Sequence, residues 1–98
     1  MATVGHMGPF PGAVVLQPGQ SAQIHFGESD GFRNCALSVT ASAHTGTGGK
    51  VHVLQVDNVT ITTTDVGDGD KFSAGCVVTN KGTTTITEWS VLVGVIVP

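Results

Sequence analysis

Trp89-Ser90-Val91-Leu92-Val93-Gly94-Val95-Ile96-Val97, close to the C-terminus, is the stretch whose reading decides the fold. Trp89, Val91, Val93, Val95 and Val97 alternate with the rest, the period of two that puts one set of side chains on one face of a strand. Four of those five are valine, whose branched Cβ suits a pleated sheet better than a helix. The opposite face is not polar, because Leu92 and Ile96 lie on it. A strand that is apolar on both faces is normally covered on both. A two-layer domain covers one face only, so a second subunit is the expected cover, with Leu92, Ile96 and Trp89 as the interface residues; Trp89, in phase with the inward valines, reads as core or interface.

Working outward, the same alternation recurs. Residues 32–44 place Cys35, Leu37, Val39, Ala41 and Ala43 on one face and Asn34, Ser38, Thr40 and Ser42 on the other. Residues 21–26 put Ala22, Ile24 and Phe26 inward, and residues 71–80 do the same with Phe72, Ala74, Cys76 and Val78. A short first strand is predicted over 13–16, ended by Gln17-Pro18-Gly19-Gln20, where Pro then Gly suits a type II turn. Over 51–64 the parity slips, which requires a bulge, a turn or a crossing between sheets; one long bent strand that changes sheet is the favoured reading. Asn80-Lys81-Gly82 reads as a short hairpin loop leading into a last strand over 83–97. Val, Ile and Thr make up 32 of the 98 residues, and no glycine- and proline-free window has helical spacing. The expected fold is all-β: an antiparallel two-sheet sandwich of six to seven strands, immunoglobulin-like or jelly-roll-like.

Two segments carry a resemblance. Lys71-Phe72-Ser73-Ala74-Gly75-Cys76-Val77-Val78-Thr79-Asn80-Lys81-Gly82, followed by Thr83-Thr84-Thr85-Ile86-Thr87, resembles the closing hairpin of bacterial immunoglobulin-like sandwich modules. Leu16-Gln17-Pro18-Gly19-Gln20-Ser21 is similar to the turn before their second strand. The resemblance implies architecture and not activity. The chain departs from antibody-type domains, since Trp89 follows the second cysteine and there is no tyrosine.

Ninety-eight residues with 40% hydrophobic content and a mean hydropathy of +0.24 suffice for one core, a single domain over 1–98. Residues 1–11 read as an N-terminal arm, and Gly5-His6-Met7 resembles a cloning scar. Charged residues are only 11%, against about 25% in typical soluble domains. Sparse charge resists association weakly. Arg33, Lys50, Lys71 and Lys81 are too few and too scattered to neutralise phosphates, which argues against nucleic acid and against an anionic membrane. With no basic, apolar leader in view, a cytoplasmic location is expected as written, or a secreted one if a leader was removed.

The acidic turn 65–70 offers Asp65, Asp68 and Asp70 as a calcium candidate, because hard cations take clustered oxygens; an ordinary polar turn is the plainer reading, and no cofactor is otherwise expected. Cys35 and Cys76 are a candidate inter-sheet disulfide or, more simply, two buried thiols. His44 and His52 flank a glycine-rich loop and, with His25, suggest a zinc site only if the fold gathers them. No nucleophile elbow, phosphate loop or acid–base pair is present. The functional expectation is a non-enzymatic binding or assembly module acting through its sheet surface, homo-oligomeric, with another protein or a glycan as other partners. The alternative is a carbohydrate-binding or calcium-dependent, lectin-like domain.

Overall fold

The computed structural model describes residues 3–44, 50–67 and 69–97, and its alternating apolar segments form six strands. They are β1 (Thr3–Pro11), β2 (Ser21–Phe26), β3 (Ala36–Ala43), β4 (Leu54–Asp65), β5 (Asp70–Asn80) and β6 (Trp89–Val97). Every pairing is antiparallel, and the strands divide into two three-stranded sheets, β1-β6-β3 and β2-β5-β4, packed against each other. Among the described residues the only helical piece is a single 3-10 turn, Asp30–Phe32, anchored by the buried Phe32.

The core lies between the two central strands. β6 contributes Trp89, Val91 and Val93, and β5 contributes Phe72, Ala74, Cys76 and Val78. Phe26, Phe32, Leu16 and Ile86 close the ends. Fully burying a side chain of the Val, Leu or Ile size contributes about 1.5–3 kcal/mol, so these positions hold the two sheets together. The periodicity of β3 is as expected: Cys35, Leu37, Val39, Ala41 and Ala43 are the half-buried set. The turn at Gln17-Pro18-Gly19-Gln20 also forms, with Gly19 at φ +84° and the Gln20 amide donating to the Gln17 carbonyl at 2.9 Å.

Four expectations are corrected. Residues 3–11 are not an arm but an edge strand, paired with β6 from Thr3↔Val97 to Pro11↔Ser90. Its glycines and prolines hide the strand signal, and the partner that orders it lies at the other end of the chain. Residues 13–16 form no strand beyond one bridge, Leu16 to Ile86. β4 does not change sheet; it stays beside β5, and its parity slip is a bulge between Asp57 and Thr60 with Asn58 at φ +53°. Asn80-Lys81-Gly82 is not a hairpin loop. β5 and β6 belong to different sheets, residues 81–88 cross between them, and the last strand begins at Trp89 and not at Thr83.

The buried Asn80 side chain organises that crossing. Its Nδ2 donates to the carbonyls of Leu16 and Thr84 at 3.0 and 2.8 Å, and its Oδ1 accepts the Gly82 amide at 3.0 Å. A hairpin would leave those backbone groups to pair along a ladder; here one side chain bonds all three, and the Leu16 carbonyl accepts the Ile86 amide as well. The far half of β4, from Asp57 onward, is exposed on both faces, so the β4–β5 hairpin extends beyond the cover of the first sheet.

Candidate functional site

The outer face of the β1-β6-β3 sheet is built from alternate residues of three strands, in rows set by the pairing register. One row is Val4, Ile96 and Ala36; the next is His6, Gly94 and Ser38. Then come Leu92 beside Thr40, and Pro11, Ser90 and Ser42. Val4 is 75% exposed, Leu92 42% and Ile96 45%. None of the three strands contains Asp, Glu, Lys or Arg. All the charge of the molecule is carried by the second sheet and the connections. Gly94, between Leu92 and Ile96, leaves the centre of the face low and flat. At one end the His44 Nε2 shares a 2.9 Å hydrogen bond with the Ser90 Oγ.

Of the expected interface residues, the structure therefore places Leu92 and Ile96 on this face and Trp89 elsewhere. Trp89 is 2% exposed, within the chain's own core, and its Nε1 donates to the Val14 carbonyl at 2.7 Å. Parity alone assigns Trp89 to the inner face, and the opposite sheet and segment 12–14 complete its cover. Val4 and Ala36 are the face residues that sequence reasoning missed. Neither carries a signal by itself; each becomes part of the patch only because its strand is aligned with Ile96.

The acidic turn forms the tip of the β4–β5 hairpin, where Asp65 pairs with Asp70; Asp68 lies outside the described residues. The Asp65 Oδ1 accepts the Gly67 amide at 2.9 Å, the bond of a self-capped turn. The fold does not gather the histidines. His44 is bound to Ser90, and His52 Nδ1 shares a 2.8 Å bond with the Thr84 Oγ1. Among the described residues no three His, Cys, Asp or Glu side chains are close enough together to hold a metal ion. Cys35 and Cys76 are unbonded, the first half-buried at the start of the first sheet and the second buried on β5. Burial pushes the Cys76 thiol above its usual pKa.

The outer face of the second sheet has a different character. Gly75, at the middle of β5, has no side chain, and a shallow groove opens over it between Gln23 and His25 of β2 and Asn58, Thr60 and Thr62 of β4. A Cβ at Gly75 would stand 2.8 Å from the Ile24 carbonyl oxygen, so the close β2–β5 approach requires glycine there. The bulge turns Asn58 toward the same groove.

Among the described residues, no helix is long and apolar enough to cross a membrane. In comparison with known proteins, no family model matches the chain, and neither the curated proteins nor the solved structures give a match.

Proposed function

We propose that this chain is a non-enzymatic assembly module that joins copies of itself through the outer face of the β1-β6-β3 sheet. The observation that carries the reading is the exposure of Val4, Leu92 and Ile96 on a face whose three strands contain no charged residue. A contact between identical faces brings a charge near the two-fold axis up against its own copy, and like charges opposed across a sheet are destabilising. This face has none to oppose. Covering the apolar rows removes them from water at about 25 cal/mol per Å². The test is light scattering on the purified chain at high micromolar concentration. The unchanged chain is expected to associate, and Leu92→Lys with Ile96→Lys to weaken association; a strict monomer at all concentrations overturns the reading.

The strand order supports an immunoglobulin-like assignment within the sandwich class. β2-β5-β4 falls in the order of the second, fifth and fourth strands of such a sheet, and β3 lies beside β6 as the third strand lies beside the sixth. β1 takes the place of a seventh strand.

A second reading, a lectin-like ligand site, is favoured by the groove over Gly75. Gln23, His25, Asn58 and Thr60 offer neutral donors and acceptors to a hydroxyl-rich ligand. A rise in melting temperature with maltohexaose or cellohexaose that His25→Ala removes supports it. No rise with either sugar, or with millimolar calcium, removes it.

A further inference from the structure

We propose that the open edge of β3 pairs with the β3 edge of a second copy, antiparallel about a two-fold axis, to make one continuous six-stranded sheet. The inference rests on the reading of the β1-β6-β3 sheet as the assembly surface and names how that surface is extended.

The four edges of the sandwich are not equally protected. Natural sheets blunt their edges with prolines, charges, bulges or covering segments. β1 carries Pro9 and Pro11, which have no amide hydrogen to offer, and a register shift between Met7 and Phe10. β4 carries Asp57, Asp65 and the bulge at Asn58. β2 is the shortest strand, with Phe10 stacked near Phe26 at 5.8 Å beside it. β3 has none of these devices: it contains no Pro, Gly or charge, and all its residues from Ala36 to Ala43 pair with β6 in unbroken register. Among the described residues no backbone hydrogen bond reaches β3 from its other side.

β3 is also only partly covered, with β4 of the opposite sheet packed against it. Leu37, Val39, Ala41 and Ala43 point inward yet are only half-buried, whereas Val91 and Val93 beside them on β6 are fully buried. A further strand at this edge would supply the missing contacts. The strand is compatible with itself in register. An axis through Val39 sets Val39 against its copy and Leu37 against Ala41 on the core side, with Ser38 against Thr40 and Ala36 against Ser42 outside. Inward residues thus meet inward ones, as pairing requires, and no charge meets a charge.

Area gives the edge its purpose. Three strands about 4.8 Å apart and nine residues long have a footprint of roughly 400 Å², half of the ~800 Å² per partner in a stable interface. Six strands double the footprint and bring the stacked face to that range.

The experiment is hydrogen exchange and light scattering in the Leu92→Lys, Ile96→Lys background, where stacking of the faces is disabled. The edge pair predicts a residual dimer, with β3 amides exchanging about tenfold more slowly at high than at low concentration. Adding Ser38→Lys with Thr40→Lys, both exposed positions, sets like charges opposite each other and abolishes the dimer. Ser38→Lys with Thr40→Asp sets opposite charges there and restores it. A background variant that is monomeric, with β3 exchange independent of concentration, overturns the edge proposal and leaves the face reading standing. So does a Lys/Asp pair no better than Lys/Lys. Association of the unchanged chain that ignores Leu92→Lys and Ile96→Lys but is lost with Ser38→Lys and Thr40→Lys overturns the face reading and keeps the edge. Protection of β3 that appears only with a different protein added also overturns the self-pairing.

Discussion

Gly12 lies so close against the indole of Trp89 that a Cβ on Gly12 would stand only 2.0 Å from the ring's Cε2. The two residues are also joined through the backbone, the Gly12 amide donating to the Trp89 carbonyl at 2.7 Å. Two residues on, the Val14 carbonyl accepts the indole Nε1–H. Segment 12–14 is therefore a strap over the first residue of β6, and it covers the only tryptophan of the chain. Gly12→Ala is expected to force the strap away from the ring and to destabilise the fold by about 1–3 kcal/mol, the usual cost of overpacking. Urea unfolding followed by tryptophan fluorescence measures it; an unchanged midpoint would contradict the contact.

Asn80 makes the second testable point. With its side chain truncated, the carbonyls of Leu16 and Thr84 and the amide of Gly82 lose their side-chain partner. Asn80→Ala is expected to cost about 2–4 kcal/mol, because the Thr84 carbonyl and the Gly82 amide lose this partner at about 1–3 kcal/mol each, while the Leu16 carbonyl keeps the Ile86 amide. Asn80→Asp keeps the volume but sets a carboxylate oxygen against two carbonyls, and is expected to be no better near neutral pH. Calorimetric melting temperatures of the two variants check this; a small effect in both would show that the crossing is held by other bonds.

The thiols differ in access. Cys76 is buried on β5 and Cys35 only half so, and a disulfide-exchange reagent is expected to label Cys35 first and Cys76 only on opening of the fold. Desolvation raises the folded Cys76 pKa above the ordinary thiol value. Above the unfolded pKa the unfolded state has then lost a proton that the folded state keeps, so stability is full below that pKa and falls as pH rises through it. Cys76→Ala should be less stable at neutral pH but lose less on going to alkaline pH. An identical alkaline decline in both proteins would rule Cys76 out as its source.

Self-association through a charge-free face should ignore simple salt. Screening acts on charged pairs, and the three strands contain none. Sedimentation equilibrium in low and high sodium chloride is expected to give about the same constant, with tighter association in sulfate. A constant that weakens steeply with sodium chloride would point to a contact made elsewhere, through the charged connections.

The places where the sequence is legible share one property: alternation within a single strand. β2, β3 and β6 announce their inward faces through Ile24, Val39 and Val93 because period two is a local pattern, readable without knowing the neighbours. β1 is illegible for the opposite reason. Thr3–Pro11 contains two glycines and two prolines, and what makes it a strand is the register Val4↔Ile96, a contact between the two ends of the chain. The slip at residues 57–60 is visible as a break in parity, but a bulge and a change of sheet break parity alike, and only the persistence of β5 as partner separates them.

By itself the sequence determined the class of fold, the inward row of each regular strand and the two-sided apolar character of β6, since side-chain chemistry and a two-residue period are properties of the chain. The tertiary structure decided which strands share a sheet, that Asn80 organises the crossing between the sheets rather than closing a hairpin, that segment 12–14 closes over Trp89, and that Val4 and Ala36 join Ile96 in one exposed row. Those are facts of pairing between distant segments, and hydrophobic burial and hydrogen-bond satisfaction select them only when the whole chain is folded together.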